Sequence, residues 1–148
     1  MVCLFSFLVN WGYEMIQLSK YFTLKEMIFS DYAKRHKIDN TPDAKILAKL
    51  TTTTKKLDAV RELLNTPIIV TSGYRCLKVN RGIGSSDTSQ HPKAEAVDFK
   101  TQKYTPREAY DIIRLGNIEY DQLILEYDDW VHISFKDANN RKQDFEIG

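Results

Sequence analysis

Apolar positions set the rhythm of this chain. Ile46, Leu47, Leu50, Leu57, Val60 and Leu64 recur on one stripe at helical spacing, behind Thr41 as cap and Pro42 in the first turn, and predict one long core helix. The threonine run Thr51 to Thr54 lies inside that pattern. Leu63-Leu64-Asn65-Thr66-Pro67 ends the helix, and the β-branched run Ile68 to Thr71 predicts a buried strand. Upstream, Thr23 with Glu26 three residues on is a capping box, which predicts a helix from Leu24 to Arg35 carrying Leu24, Met27, Ile28 and Tyr32.

Downstream, the pattern changes from helix to sheet. Gly73 to Pro92 is rich in Gly, Ser, Asp and Asn without periodicity and predicts a long functional loop. A strand is expected over Ala94 to Phe99, then a helix announced by Thr105, Pro106 and Glu108 and closed by Gly116. Gln122 to Tyr127 and Trp130 to Phe135, flanking Asp128-Asp129, predict a β-hairpin, and Gln143 to Ile147 an edge strand. The expected class is α+β, a small antiparallel sheet with helices packed on it.

Length and charge narrow the picture. A chain of 148 residues suits a single domain. With 21 Lys plus Arg against 20 Asp plus Glu, no electrostatic footprint for nucleic acid is expected, nor stable membrane insertion. Cys3 and Cys76 are the only two cysteines, too few for a disulfide framework, which fits synthesis in a reducing compartment. The apolar run within residues 1–14 is too short to span a bilayer and has no preceding Lys or Arg, so it is not a clear signal peptide. Those residues read as an extension ahead of one domain over 15–148, in a protein made in the cytoplasm.

Only three histidines occur, His36, His91 and His132. His91 follows the polar loop, Asp98 lies in the next strand and His132 is central in the second hairpin strand. Two imidazoles and a carboxylate suit zinc and leave a coordination position open. On spacing alone, ordinary hydrogen-bonded roles would be the simpler reading. His36, in the basic run Lys34-Arg35-His36-Lys37, reads as a solvated helix end.

The local wording shifts that balance. Ser89-Gln90-His91-Pro92-Lys93-Ala94-Glu95-Ala96-Val97-Asp98 resembles the S-x-H-x-x-G-x-A-x-D motif of the M15 family of zinc D-Ala-D-Ala peptidases. Trp130-Val131-His132 resembles its W-x-H motif, and Ser72-Gly73-Tyr74-Arg75 followed by Asn80 resembles its S-G-Y-R segment. The resemblance covers roughly Ser19 to the C-terminus and is nearest to short single-domain members of phages and bacteria. It implies a fold shared with Hedgehog domains, Zn2+ held by His91, Asp98 and His132, and hydrolysis of a bacterial peptidoglycan peptide by a monomer, as a D-Ala-D-Ala carboxypeptidase or a wall endopeptidase such as a phage endolysin. It also implies Arg75 as a substrate-binding residue and gives Ser89 a similar part, with turn capping as the alternative for Ser89 and loop solvation for Arg75. Asn80 is expected to tie the loop together. The departure is Ala94, where the family has glycine; a turn needing a left-handed residue would be strained there.

Two carboxylates compete as general base. Asp129 stands three residues before His132, as in the dipeptidase branch of the family, and Glu126 six before, as in the Hedgehog-like layout. Residues at even spacing on a strand share a face. A three-residue loop, Tyr127 to Asp129, would pair Glu126 with Trp130 and put it on the face of His132, whereas a two-residue loop would turn it away; Glu126 is favoured as the catalytic residue. A thiol mechanism through Cys76 is disfavoured, because metal binding occupies the lone pair a histidine base requires. The competing class is a zinc-containing wall-binding or virion-structural module of the same fold without turnover.

Overall fold

The computed structural model describes residues 16–148; the apolar run of residues 1–14 and the boundary expected at Met15 lie outside them. In chain order the elements are α1 (Leu24–Ile28), α2 (Asp31–Arg35), α3 (Ala44–Leu64), β1 (Ile68–Ser72), α4 (Leu77–Gly82), β2 (Ala96–Thr101), α5 (Pro106–Leu115), β3 (Gln122–Glu126), β4 (Trp130–Ser134) and β5 (Gln143–Ile147). The five strands form one sheet in the order β1-β2-β4-β3-β5, antiparallel except where β5 runs parallel to β3. The class is α+β.

Strand parity divides the sheet into two faces. Val97 and Phe99 of β2, Leu123 and Leu125 of β3, and Val131 and Ile133 of β4 are buried in one core with Leu50, Leu57, Val60 and Leu64 of α3 and Ala109, Tyr110 and Ile113 of α5. Each large aliphatic side chain so buried contributes about 1.5–3 kcal/mol. The alternate residues, Asp98, His132, Ile124 and Glu126, occupy the other face, and Asp98, His132 and Ile124 are in register across it. Helix packing on one face thus holds the polar residues of the other rigidly.

Several boundaries differ from expectation. The helix expected over Leu24 to Arg35 is two helices, because Ser30 caps the second by accepting from Ala33 N at 3.1 Å and Phe29 takes an extended conformation. Asp43, not Thr41, caps α3, accepting from Ile46 N at 2.8 Å; Pro42 disfavours helical geometry at the residue before it. The loop over Gly73 to Pro92 contains α4, a six-residue helix with no side-chain cap to announce it. β2 begins at Ala96 rather than Ala94, whose left-handed φ of 58° keeps it out of the strand. The capping box of Thr105 and Glu108 and the edge strand β5 are as expected. Among the described residues, no helix is long and apolar enough to cross a membrane.

Candidate metal centre

Three elements supply the site. β2 carries Asp98, β4 carries His132 directly opposite it, and the turn before β2 carries His91. All three are buried, and one ligand atom from each lies within 4.8 Å of the others. His132 Nδ1 is 2.8 Å from Asp98 Oδ1, and His91 Nε2 is 3.3 Å from Asp98 Oδ2.

The outer contacts fix which atoms face inward. His91 Nδ1 lies 2.7 Å from the Gly73 carbonyl oxygen, which can only accept, so Nδ1 carries the proton and Nε2 presents its lone pair to Asp98. Burial lowers the pKa of His91, assisted by Arg75 and His132 and opposed by Asp98. A neutral nitrogen lone pair facing a carboxylate oxygen is repulsive unless a cation lies between them, so the donor set fits a divalent metal. Burial disfavours the Asp98 carboxylate; His91 and His132 in their protonated forms outweigh it and lower its pKa, and the Arg75 guanidinium, bound at 3.0 Å, favours the anion whichever form His91 takes. Asp98 stands ready as an anionic ligand.

Gly73 serves by having no side chain. A Cβ there would strike the Met27 carbonyl, and Tyr74 N donates to that same oxygen at 2.7 Å. α1 therefore sets the position of the carbonyl that orients His91.

Arg75 lies behind Asp98. Its Nη2 donates to Asp98 Oδ2 at 3.0 Å, Nε to Ser72 Oγ at 2.8 Å and Nη1 to Asn80 Oδ1 at 3.3 Å. Burial disfavours its charge, while Asp98 and Glu126 favour it. A register shift between Val70 and Ser72 brings Ser72, rather than Thr71, opposite Asp98. Asn80 is fully buried and also donates to Ser86 O at 2.9 Å, which ties the loop down as expected. Ser89 Oγ accepts from His91 N at 3.3 Å, and Ser89 lines a cavity with His132.

The hairpin has the three-residue loop. Glu126 pairs with Trp130, which puts Glu126 on the face of His132, with Oε1 3.8 Å from His132 Nδ1. Burial, then the charge of Asp98, raises the pKa of Glu126, against His132, Arg75 and Trp130. The Trp130 indole N–H is buried and acts on the carboxylate without reaching hydrogen-bond geometry. Asp129 is exposed and bound to Lys100 Nζ at 2.6 Å. The structure thus brings together His91, Asp98, His132, Glu126 and Arg75, and leaves Asp129 outside.

Ala94 has the left-handed conformation its position requires. It is buried, its N donates to His91 O at 3.1 Å, and its carbonyl accepts from Thr53 Oγ1 of α3 at 2.7 Å. The contributions of Thr53, of Ser72 and of the Gly73 carbonyl were missed in the sequence. Ser72 and Gly73, both within S-G-Y-R, left a signal there, and Thr53 left none.

Residues 20–134 match the family model Peptidase M15. The chain belongs to this family. It is a metallopeptidase, and the buried His91, Asp98 and His132 could bind the metal on which M15 peptidases depend. No curated protein matches the chain.

Proposed function

We propose that this M15 peptidase binds one zinc ion through His91, Asp98 and His132 and hydrolyses a peptide bond in peptidoglycan stem peptides, as a D-Ala-D-Ala carboxypeptidase or a wall endopeptidase. The observation that carries the proposal is Glu126, a partly buried carboxylate 3.8 Å from His132 and outside the ligand set. When bound, zinc supplies Lewis acidity toward the scissile carbonyl and toward water. Glu126 accepts a proton from the attacking water at a carboxylate oxygen and delivers it to the leaving amine.

Arg75 holds Asp98 in place, and two of its five N–H groups remain outside its three side-chain bonds, available to a substrate carboxylate or carbonyl. Ser89 offers its hydroxyl to the substrate backbone from the cavity that His132 also lines. One chain supplies every residue of the site, so a monomer suffices. The wall substrate rests on the resemblance of the three motifs to D-Ala-D-Ala peptidases; synthesis in the cytoplasm with action on the wall fits an endolysin or a wall-editing enzyme. Mass spectrometry of the products from a defined stem pentapeptide, with and without chelator, tests it. Loss of one D-alanine marks a carboxypeptidase and internal fragments mark an endopeptidase; an intact peptide with zinc-loaded protein would remove the wall substrate.

A further inference from the structure

A cavity of about 530 Å³ adjoins the metal centre and is lined by both His132 and Arg141. Its remaining polar lining is neutral, with Ser86, Ser89, Gln90 and Gln122 among it; no lining residue is acidic, and Arg141 is the one Lys or Arg. Arg141 is held in place. Asp121, whose side chain is fully buried, accepts from Arg141 Nε at 3.1 Å, from its Nη2 at 2.6 Å and from its backbone N at 3.0 Å. These bonds occupy one edge of the guanidinium and leave Nη1 outside them, on a side chain that is 43% exposed. Lys136 Nζ also lies 3.5 Å from Asp121, so one carboxylate stands between two cations. Glu95 acts on Arg141 at longer range, but its carboxylate is engaged by Gln90 Nε2 at 2.9 Å and by Lys49 at 3.8 Å. Arg141 also lies beyond residues 20–134, the segment matched to the family.

A pinned guanidinium with one free edge, at an otherwise neutral cleft, is suited to charge-assisted bonding of a carboxylate, which a carboxamide cannot equal. We propose that this cleft binds an acidic peptide and that Arg141 is a specificity-determining residue, selecting a substrate with a free carboxylate over its amide. The proposal rests on the peptide-hydrolase reading for the location of the substrate, and binding tests it separately from turnover.

The probes are two fluorescein-labelled stem pentapeptides, L-Ala-γ-D-Glu-L-Lys-D-Ala-D-Ala with the α-carboxyl of D-Glu either free or as the carboxamide. Fluorescence anisotropy with the zinc-loaded, full-length Glu126→Gln protein avoids hydrolysis during the measurement. The free acid is expected to bind roughly five- to tenfold more tightly, and the preference to shrink toward unity as salt rises. Arg141→Gln should bring the two affinities within about twofold, while Arg141→Lys retains part of the difference. Equal binding of the two peptides by protein carrying Arg141, a salt-independent ratio, or an unchanged ratio in folded Arg141→Gln would overturn the proposal. If Arg141→Gln does not fold, the ratio and its salt dependence in protein carrying Arg141 decide. Acid-selective binding by wild-type protein that cleaves neither peptide would instead remove the stem-peptide hydrolase reading and leave the acidic subsite in place.

Discussion

Arg75 Nη2 donates to Asp98 Oδ2, the same oxygen that lies 3.3 Å from His91 Nε2. One oxygen of the central carboxylate is thus held from behind by a guanidinium whose other nitrogens are fixed by Ser72 and Asn80. A lysine keeps the charge but cannot span three acceptors set at the angles of a planar fork. Arg75→Lys should therefore lower metal affinity or kcat/KM by roughly 10–100-fold, the usual effect of disturbing a ligand's outer contact. Metal titration and steady-state rates on one stem peptide measure it; wild-type values of both would reduce Arg75 to a structural residue.

The three candidate ligands join the turn before β2 to two central strands, so metal binding and stability should be coupled. Purified protein is expected to hold about one zinc per chain. Alanine at His91, Asp98 or His132 should each abolish tight binding and the rise in Tm that zinc produces. Elemental analysis with thermal melts on and off chelator checks this, and full activity in metal-free protein would contradict it.

At Ala94 the φ of 58° costs an L-residue about 1–2 kcal/mol, which glycine would relieve. Glycine also frees the unfolded chain by about 0.5–1 kcal/mol and removes a buried methyl worth about 0.8 kcal/mol. Ala94→Gly should change stability by less than about 1 kcal/mol in denaturant melts. Ala94→Val, β-branched at a buried left-handed site, should cost about 3 kcal/mol or more.

Much of this arrangement was legible in the sequence. The alternation of Val97, Asp98 and Phe99 and of Val131, His132 and Ile133 assigns the two faces before any coordinate does, and hairpin parity selected Glu126 once a three-residue loop was assumed. The split at Ser30, the cap at Asp43 and helix α4 were not legible, because short polar segments support several local hydrogen-bonding patterns and tertiary contact chooses among them. Asn80 in α4, for example, is held by Arg75 and Ser86, contacts no window along the chain displays. The register shift before Ser72 is equally a product of pairing with β2.

Asp121 provides a pH-dependent test away from the metal. Its hydrogen bonds with Arg141 lower its pKa, against burial and with further help from Lys136. A depressed carboxyl contributes stability that is complete above the unfolded pKa of about 4 and is lost as pH falls through the folded value. Asp121→Asn should lower stability by about 1–2 kcal/mol at neutral pH, since Arg141 is partly exposed. The gap from wild type should narrow below about pH 4. Urea melts across pH 3–7 measure it, and a gap that widened in acid would contradict the assignment.

The most direct test of the hydrolytic centre is kcat of zinc-loaded Glu126→Gln on a stem peptide that wild type cleaves, with metal content measured on the same sample. The glutamine keeps the shape of the side chain and removes the proton acceptor. The expected result is a fall in kcat of about 10²–10⁴-fold with about one zinc per chain and a near wild-type Tm, while Asp129→Asn, altering an exposed residue paired with Lys100, changes kcat far less. Wild-type turnover in Glu126→Gln, or an inactive Asp129→Asn that still holds its zinc, would contradict the account.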